Sequence, residues 1–96
     1  MLRRTFVHVP GVGPTTEWRL WRAGIGDWDQ FLASANRLRL SPQIVERICR
    51  HLVLSQERLR ARDCLFFRDC LPRQSWWRAY LDFPEQTAYL DIETTG

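Results

Sequence analysis

The sequence predicts a mainly α-helical fold that ends in a single β-strand. Apolar residues recur at helical spacing through most of residues 14–84. Ser, Asp and Pro stand at the positions where those helices would begin. The pattern changes near residue 85, because residues 88–93, Ala-Tyr-Leu-Asp-Ile-Glu, form a short run rich in apolar and β-prone residues. We therefore predict one domain boundary, at about residue 85.

The N-terminal stretch is predicted to enter the first helix through a tight turn. Residues 5–13 are β-branched and then punctuated by Gly11 and Gly13, which indicates an extended or barely helical lead. Pro14 suits the first helical position, where its missing N–H has no intrahelical partner. Gly24 is the expected end of this helix. The residues predicted to share its packed face are Trp18, Trp21 and Ile25.

Four further helices are expected. Asp27 is predicted to cap a short helix, and Ser41 followed by Pro42 to begin a longer one that runs to about Ala61. Asp63 and Ser75 are predicted to cap two more. The predicted apolar stripes are Trp28, Phe31, Leu32 and Ala35; Ile44, Val45, Ile48, Cys49 and Leu52; Phe66, Phe67 and Cys70; and Trp76, Trp77 and Tyr80.

Charge is distributed unevenly along the chain. Residues 1–80 contain all fourteen basic residues, each of them an arginine, and seven acidic residues. Residues 81–96 contain four acidic residues and no basic one. A basic body suits an anionic partner such as nucleic acid. A solvated surface with excess arginine is the alternative.

Nothing in the sequence predicts membrane insertion or secretion. Apolar runs fall short of the roughly 20 residues that span a bilayer, and the N-terminus lacks the apolar region of a signal peptide. We expect a cytoplasmic protein. Cys49, Cys64 and Cys70 are odd in number and irregular in spacing, which favours reduced, mostly buried thiols over disulfides. A zinc site is not expected, because close Cys-x-x-Cys pairs are missing.

The C-terminal run has the pattern of a metal-binding strand. Side chains alternate along a strand, so Asp91 and Glu93 would point to the same side. Two such carboxylates supply the oxygen ligands that Mg²⁺ or Mn²⁺ prefers. Many strands also end in acidic residues for solubility, so the spacing by itself is a weak indicator. Residues 94–96 are predicted to form a loop where the strand opens towards a substrate.

Residues 89–96, Tyr-Leu-Asp-Ile-Glu-Thr-Thr-Gly, resemble the first motif of the DEDD, or DnaQ-like, exonucleases of the ribonuclease H-like superfamily. The resemblance implies that Asp91 and Glu93 bind Mg²⁺ or Mn²⁺, and that Thr94 and Thr95 lie beside the terminal nucleotide of DNA or RNA. It also implies hydrolysis from 3′ ends. The later motifs of that family have no counterpart in residues 1–96, so this chain alone is expected to be inactive.

Residues 9–25 resemble a helix-hairpin-helix element with an apolar-Gly-x-Gly hairpin. The resemblance implies that Gly11 and Gly13 let the turn approach a phosphate, with the N–H groups of the next helix pointing at the anion. Arg19 and Arg22 would add charge contacts to nucleic acid. A hairpin that only packs two helices together is the alternative. Two positions depart from the pattern, Thr15 where Lys is frequent and Glu17 where Ala is frequent.

The order of these parts resembles the YprB-like group of predicted exonucleases. Residues 66–73 and 77–80 extend the resemblance over nearly the whole chain. The implied domains are a helix-hairpin-helix-like element at 1–35, a helical connector at 36–84, and the first strand of a truncated ribonuclease H-like domain at 85–96.

The aromatic cluster near the end of the helical region has two interpretations. Trp76, Trp77 and Tyr80 would suit stacking on single-stranded bases. Aromatic residues at helical spacing more often fill a core, which is the favoured interpretation. His8 and His51 are expected to be ordinary surface or core residues.

Overall fold

The computed structural model describes residues 1–86, which are mainly helical, as predicted. Within that range the α-helices are α1 (Pro14–Arg22), α2 (Trp28–Ser34), α3 (Pro42–Arg60), α4 (Cys64–Cys70) and α5 (Trp77–Asp82). Short 3-10 helices occupy Leu2–Arg4, Ala35–Arg37, Arg73–Ser75 and Pro84–Gln86. The predicted strand from Thr87 lies outside the described residues.

Three predicted helix starts are confirmed by their caps. In each, a side-chain oxygen accepts a hydrogen bond from the backbone N–H three residues later, which satisfies a donor that the helix itself leaves unpaired. The pairs are Asp27 with Gln30 (2.8 Å), Ser41 with Ile44 (3.3 Å) and Asp63 with Phe66 (3.1 Å).

The predicted cap at Ser75 is wrong. The N–H of Ser75 donates to the carbonyl of Pro72 at 2.8 Å, so Ser75 already belongs to a 3-10 turn. A capping residue needs a non-helical backbone, which Ser75 lacks. Helix α5 instead begins at Trp77, after Trp76 in helical conformation.

The end of α1 is confirmed, whereas its predicted packed face needs correction. Gly24 has φ +87°, and the N–H of Ile25 donates to Leu20 O at 3.0 Å, which is a Schellman-type ending. Ile25 is buried, but the side chain of Trp18 is 57% exposed. The inner position next to it is taken by Glu17, which is 2% exposed.

The segment before α1 passes through the interior without forming an α-helix. Residues 5–9 are all buried, and the chain turns where Val9 N–H donates to Phe6 O. Buried backbone donors need partners. The N–H groups of Phe6 and Val7 donate to Glu17 Oε2 at 2.8 and 3.2 Å. A side chain of α1 therefore replaces the backbone pairing that this segment lacks.

Glu17 is also the centre of a long-range ion pair. Arg78 of α5 donates from Nη1 to Glu17 Oε2 at 2.6 Å and from Nη2 to Oε1 at 2.8 Å. The two side chains are 3% and 11% exposed. The Arg78 guanidinium lies 5.6 Å from the ring centroid of Trp21 and 5.5 Å from that of Trp77. This pair joins the N-terminal segment, α1 and α5.

The remaining core is aromatic and aliphatic. The indole N–H of Trp28 donates to Thr5 O at 2.7 Å, which fixes α2 against the N-terminal segment. Helix α3 contributes Ile48 and Leu52. The largest fully buried hydrophobic side chains are Trp28, Phe6, Phe31, Phe67, Phe83, Leu2, Ile48 and Leu52.

We predict that Glu17→Ala destabilises the fold by about 3–5 kcal/mol, because it leaves the Arg78 guanidinium buried without its carboxylate. Urea denaturation followed by circular dichroism measures this change in the free energy of unfolding. The matched control is Glu46→Ala, which removes an exposed ion pair with Arg50 and should cost less than about 1 kcal/mol. Equal effects of the two substitutions would contradict the assigned role of Glu17.

Candidate nucleic-acid interface

The turn before α1 depends on Gly11. This residue is exposed and has φ +87°, a conformation that other residues rarely adopt. A Cβ on Gly11 would lie 3.2 Å from Arg47 Nη1, so the guanidinium of α3 rests against the turn. Gly13 differs, because it has an extended backbone (φ −98°, ψ −179°) as the N-cap of α1, and a Cβ there would meet no atom within 4 Å.

An open groove lies between this turn and α3. Its volume is about 360 Å³, and we call it the α3 groove; its lining residues are Pro10, Gln43, Glu46, Arg47, Arg50, His51 and Leu54. Arg50 is paired with Glu46. Arg47 enters no ion pair within residues 1–86. The groove therefore offers one cation that is not already neutralised, next to the exposed backbone of Gly11.

The start of α1 borders the same turn. Pro14 has no N–H. The N–H of Glu17 donates to Gly13 O and is the first to make a hydrogen bond of the helical type. Thr15 and Thr16 lie before that residue, where helix N–H groups have no intrahelical acceptor. Such groups favour an anion. The start of α1 and the Arg47 side chain of α3 thus both lie near Gly11.

Arg19 and Arg22 do not join this cluster. Both lie in the last turn of α1, about 9 and 13 Å along the helix from Gly13 at 1.5 Å per residue. Arg19 instead lines a separate cavity of about 250 Å³ with Arg39. The predicted set of Gly11, Gly13, Arg19 and Arg22 is therefore divided between the two ends of α1. Arg47 was missed because helical periodicity places it only on the polar side of α3, and no local signal relates α3 to the turn.

His8 is a core residue, as predicted, beside the half-buried His51. The hydroxyl of Ser55 donates to His51 O at 2.7 Å, so it accepts from His8 Nε2 at 2.9 Å. His8 Nδ1 is then unprotonated and has no hydrogen-bond partner within residues 1–86. Burial, together with the smaller effects of the charges of His51 and Arg78, lowers the pKa of His8 to about 3. Burial also lowers the pKa of His51. At neutral pH both imidazoles are therefore uncharged.

Residues 1–86 contain no group of three or more His, Cys, Asp or Glu side chains arranged to hold a metal ion. Burial raises the pKa of the Cys49, Cys64 and Cys70 thiols, so they stay protonated at neutral pH. The predicted metal ligands Asp91 and Glu93, and the predicted substrate contacts Thr94 and Thr95, lie outside the described residues.

Comparisons with known proteins give no assignment. No protein-family model, no curated protein and no solved structure matches this chain. Among residues 1–86, none of the helices has the length and apolar character needed to cross a membrane.

We predict that Gly11→Ser destabilises the protein by about 1–2 kcal/mol, because it forces a non-glycine residue into a left-handed conformation. Gly13→Ser is the matched control and should change the free energy of unfolding by only a few tenths of a kcal/mol, since serine is a favoured N-cap residue. Thermal unfolding of both variants tests the difference. If Gly13→Ser lost more stability than Gly11→Ser, the assigned conformation of the turn would be wrong.

We also predict that the free energy of unfolding decreases as the pH falls from 6.5 towards 3. His8 stays neutral in the folded protein until about pH 3 but takes up a proton near pH 6.5 when unfolded. Each pH unit in that window should remove up to about 1.4 kcal/mol. Urea denaturation of wild type and His8→Phe between pH 7 and pH 4 measures this. A variant with the wild-type pH slope would contradict the account.

Proposed function

We propose that the chain is the N-terminal part of a cytoplasmic, metal-dependent 3′–5′ exonuclease that acts on DNA or RNA. The observation that carries this proposal is the run Tyr-Leu-Asp-Ile-Glu-Thr-Thr-Gly at residues 89–96. Its specificity lies in the combination of an apolar strand pattern, two carboxylates at i and i+2, and the following Thr-Thr-Gly. This run resembles the first motif of the DEDD exonucleases, and the order of the parts along the chain resembles the YprB-like group.

In this proposal, Asp91 and Glu93 hold one or two Mg²⁺ or Mn²⁺ ions together with ligands from residues beyond 96. Such ions activate a water and stabilise the leaving 3′ oxygen in two-metal nucleases. Thr94 and Thr95 lie beside the terminal nucleotide. Because the chain brings only the first ligand pair, residues 1–96 alone do not hydrolyse nucleic acid.

The helical region supports a nucleic-acid substrate through its unpaired positive charge. The arginines that form no ion pair within residues 1–86 are Arg3, Arg4, Arg19, Arg22, Arg37, Arg39, Arg47 and Arg60. Neutralising phosphates with such side chains releases condensed counterions and provides affinity that does not depend on sequence. The described residues would then hold the substrate while the following domain cleaves it.

A non-catalytic nucleic-acid-binding module is the second candidate, favoured by Arg47 against the exposed Gly11 turn. A helical scaffold for protein interaction is the third, favoured by the exposed apolar side chains Val53 and Leu54 of α3 and Leu65 of α4. A binding module binds oligonucleotides without cleaving them, and its affinity falls steeply as salt rises. A scaffold does neither.

We predict that Asp91→Asn in the natural protein containing this chain lowers hydrolysis of a 5′-labelled single-stranded oligonucleotide by about 100-fold or more. Substitution of a residue that only hydrogen-bonds to a metal ligand already lowers activity or metal affinity by about 10- to 100-fold. Asp69→Asn, which alters an exposed acid of α4, is the matched control and should retain wild-type activity. Product ladders on denaturing gels with Mg²⁺ or Mn²⁺ give the rates. Full activity of Asp91→Asn would refute the nuclease proposal.

A further inference from the structure

Two tryptophans of the helical region are exposed to an unusual degree. The side chains of Trp18 in α1 and Trp77 in α5 are 57% and 49% exposed. Tryptophan is on average a highly buried residue. The side chain of Trp18 takes part in no hydrogen bond, ion pair or ring contact within residues 1–86. Neither residue can therefore be explained as part of the core.

The neighbouring aromatic residues Trp76 and Tyr80, in contrast, pack against the core. The indole N–H of Trp76 donates to Arg68 O at 3.1 Å, and its ring is half-buried against the core. Tyr80 is also packed against the core. Of the cluster formed by Trp76, Trp77 and Tyr80, only Trp77 faces outwards. Packing in the core thus explains the positions of Trp76 and Tyr80 but not that of Trp77.

The exposed tryptophans belong to one continuous surface. Trp21 follows Trp18 by three residues, so the two side chains are neighbours on α1. The Arg78 guanidinium is within 5.6 Å of both the Trp21 and Trp77 ring centroids, which are therefore at most about 11 Å apart. Leu81, 65% exposed, follows Trp77 by one turn of α5. We call Trp18, Trp21, Trp77 and Leu81 the tryptophan face.

The charge around this face is positive. Arg22 lies one turn after Trp18 on α1, and the carbonyl of Arg4 accepts the indole N–H of Trp21 at 2.9 Å. Neither arginine enters an ion pair in the part of the chain that the structure describes. The acids next to Trp18 and Leu81 in the sequence are already paired: Glu17 with Arg78, and Asp82 with the N-terminal amino group at 3.2 Å.

The ring of Trp77 also contacts a neighbour whose own position is fixed, with the Arg78 guanidinium 5.5 Å from its centroid. Its partner Arg78 is fixed by two hydrogen bonds to the buried Glu17. Stacking on a ring that is already ordered costs less conformational entropy than stacking on a free side chain. An exposed aromatic ring on a rigid support, bordered by unpaired arginines, is the arrangement by which proteins bind unpaired bases.

We propose that the tryptophan face binds single-stranded nucleic acid, with bases stacked on Trp18 and Trp77 and phosphates contacted by Arg4 and Arg22. This inference rests on the nucleic-acid substrate of the proposed function and narrows it to single strands. Bases in a duplex present their faces to each other, so a duplex offers no ring to these tryptophans. Positive charge at the rim favours this occupant over a second copy of the equally basic chain.

The test uses the natural protein carrying Asp91→Asn, in buffer without divalent metal, and fluorescence anisotropy with a labelled oligothymidylate. Trp18→Ala and Trp77→Ala should each weaken binding by about 5- to 100-fold. The slope of log affinity against log salt should not change, because phosphate contacts stay in place. Trp77→Phe should restore most of the loss. Leu65→Ala, which removes an exposed apolar side chain of α4, is the control and should bind as wild type.

Several results would overturn the proposal. Wild-type affinity in both alanine variants would exclude stacking, and an equal loss on a hairpin duplex would exclude selectivity for single strands. A change in sedimentation mass for the variants would assign the face to self-association. Because Trp18 makes none of the contacts that hold Arg78, Trp18→Ala gives an answer even where Trp77→Ala unfolds. The proposed nuclease is tested separately, by the metal-dependent activity that Asp91 controls.

Discussion

The buried ion pair between Glu17 and Arg78 is the interaction on which the rest of this structure depends. A buried charge without a partner costs several kcal/mol, and here each charge offsets part of that cost for the other. Glu17 also accepts from the N–H groups of Phe6 and Val7, so the N-terminal segment can cross the interior without a strand or helix partner. A single carboxylate thus connects the N-terminal segment, α1 and α5.

The same pair determines which surfaces remain exposed. Because Glu17 takes the inward position on α1, the neighbouring Trp18 lies outside. Arg78 turns inward from α5, and the ring centroids of Trp21 and Trp77 both lie within 5.6 Å of its guanidinium. The tryptophan face is therefore a consequence of the ion pair.

Local features of the fold could be predicted from the sequence, because their causes lie within a few residues. The caps at Asp27, Ser41 and Asp63 and the glycine ending at Gly24 are of this kind. The features that could not be predicted depend on partners far along the chain. Glu17 and Arg78 are 61 residues apart, and no local sequence pattern indicates that these two side chains pair.

The same division applies to the candidate sites. The glycine requirement at Gly11 is local and was predictable, but the arginine that rests on it, Arg47, comes from α3. The proposed metal ligands Asp91 and Glu93 depend on the resemblance of residues 89–96 to an exonuclease motif. The helical region adds physical features that the motif does not contain, namely unpaired arginines and exposed tryptophans. Together they support the proposal that the helical region holds the single strand that the proposed nuclease cleaves.

The most direct test of this account is photocrosslinking of a bromouridine-substituted single strand to the natural protein, followed by mass spectrometry of the crosslinked peptides. Halogenated bases react with aromatic rings on which they stack, so the contact itself is recorded. We expect crosslinks at Trp18 or Trp77. Crosslinks confined to other parts of the chain, or none at a protein concentration that saturates binding, would contradict it.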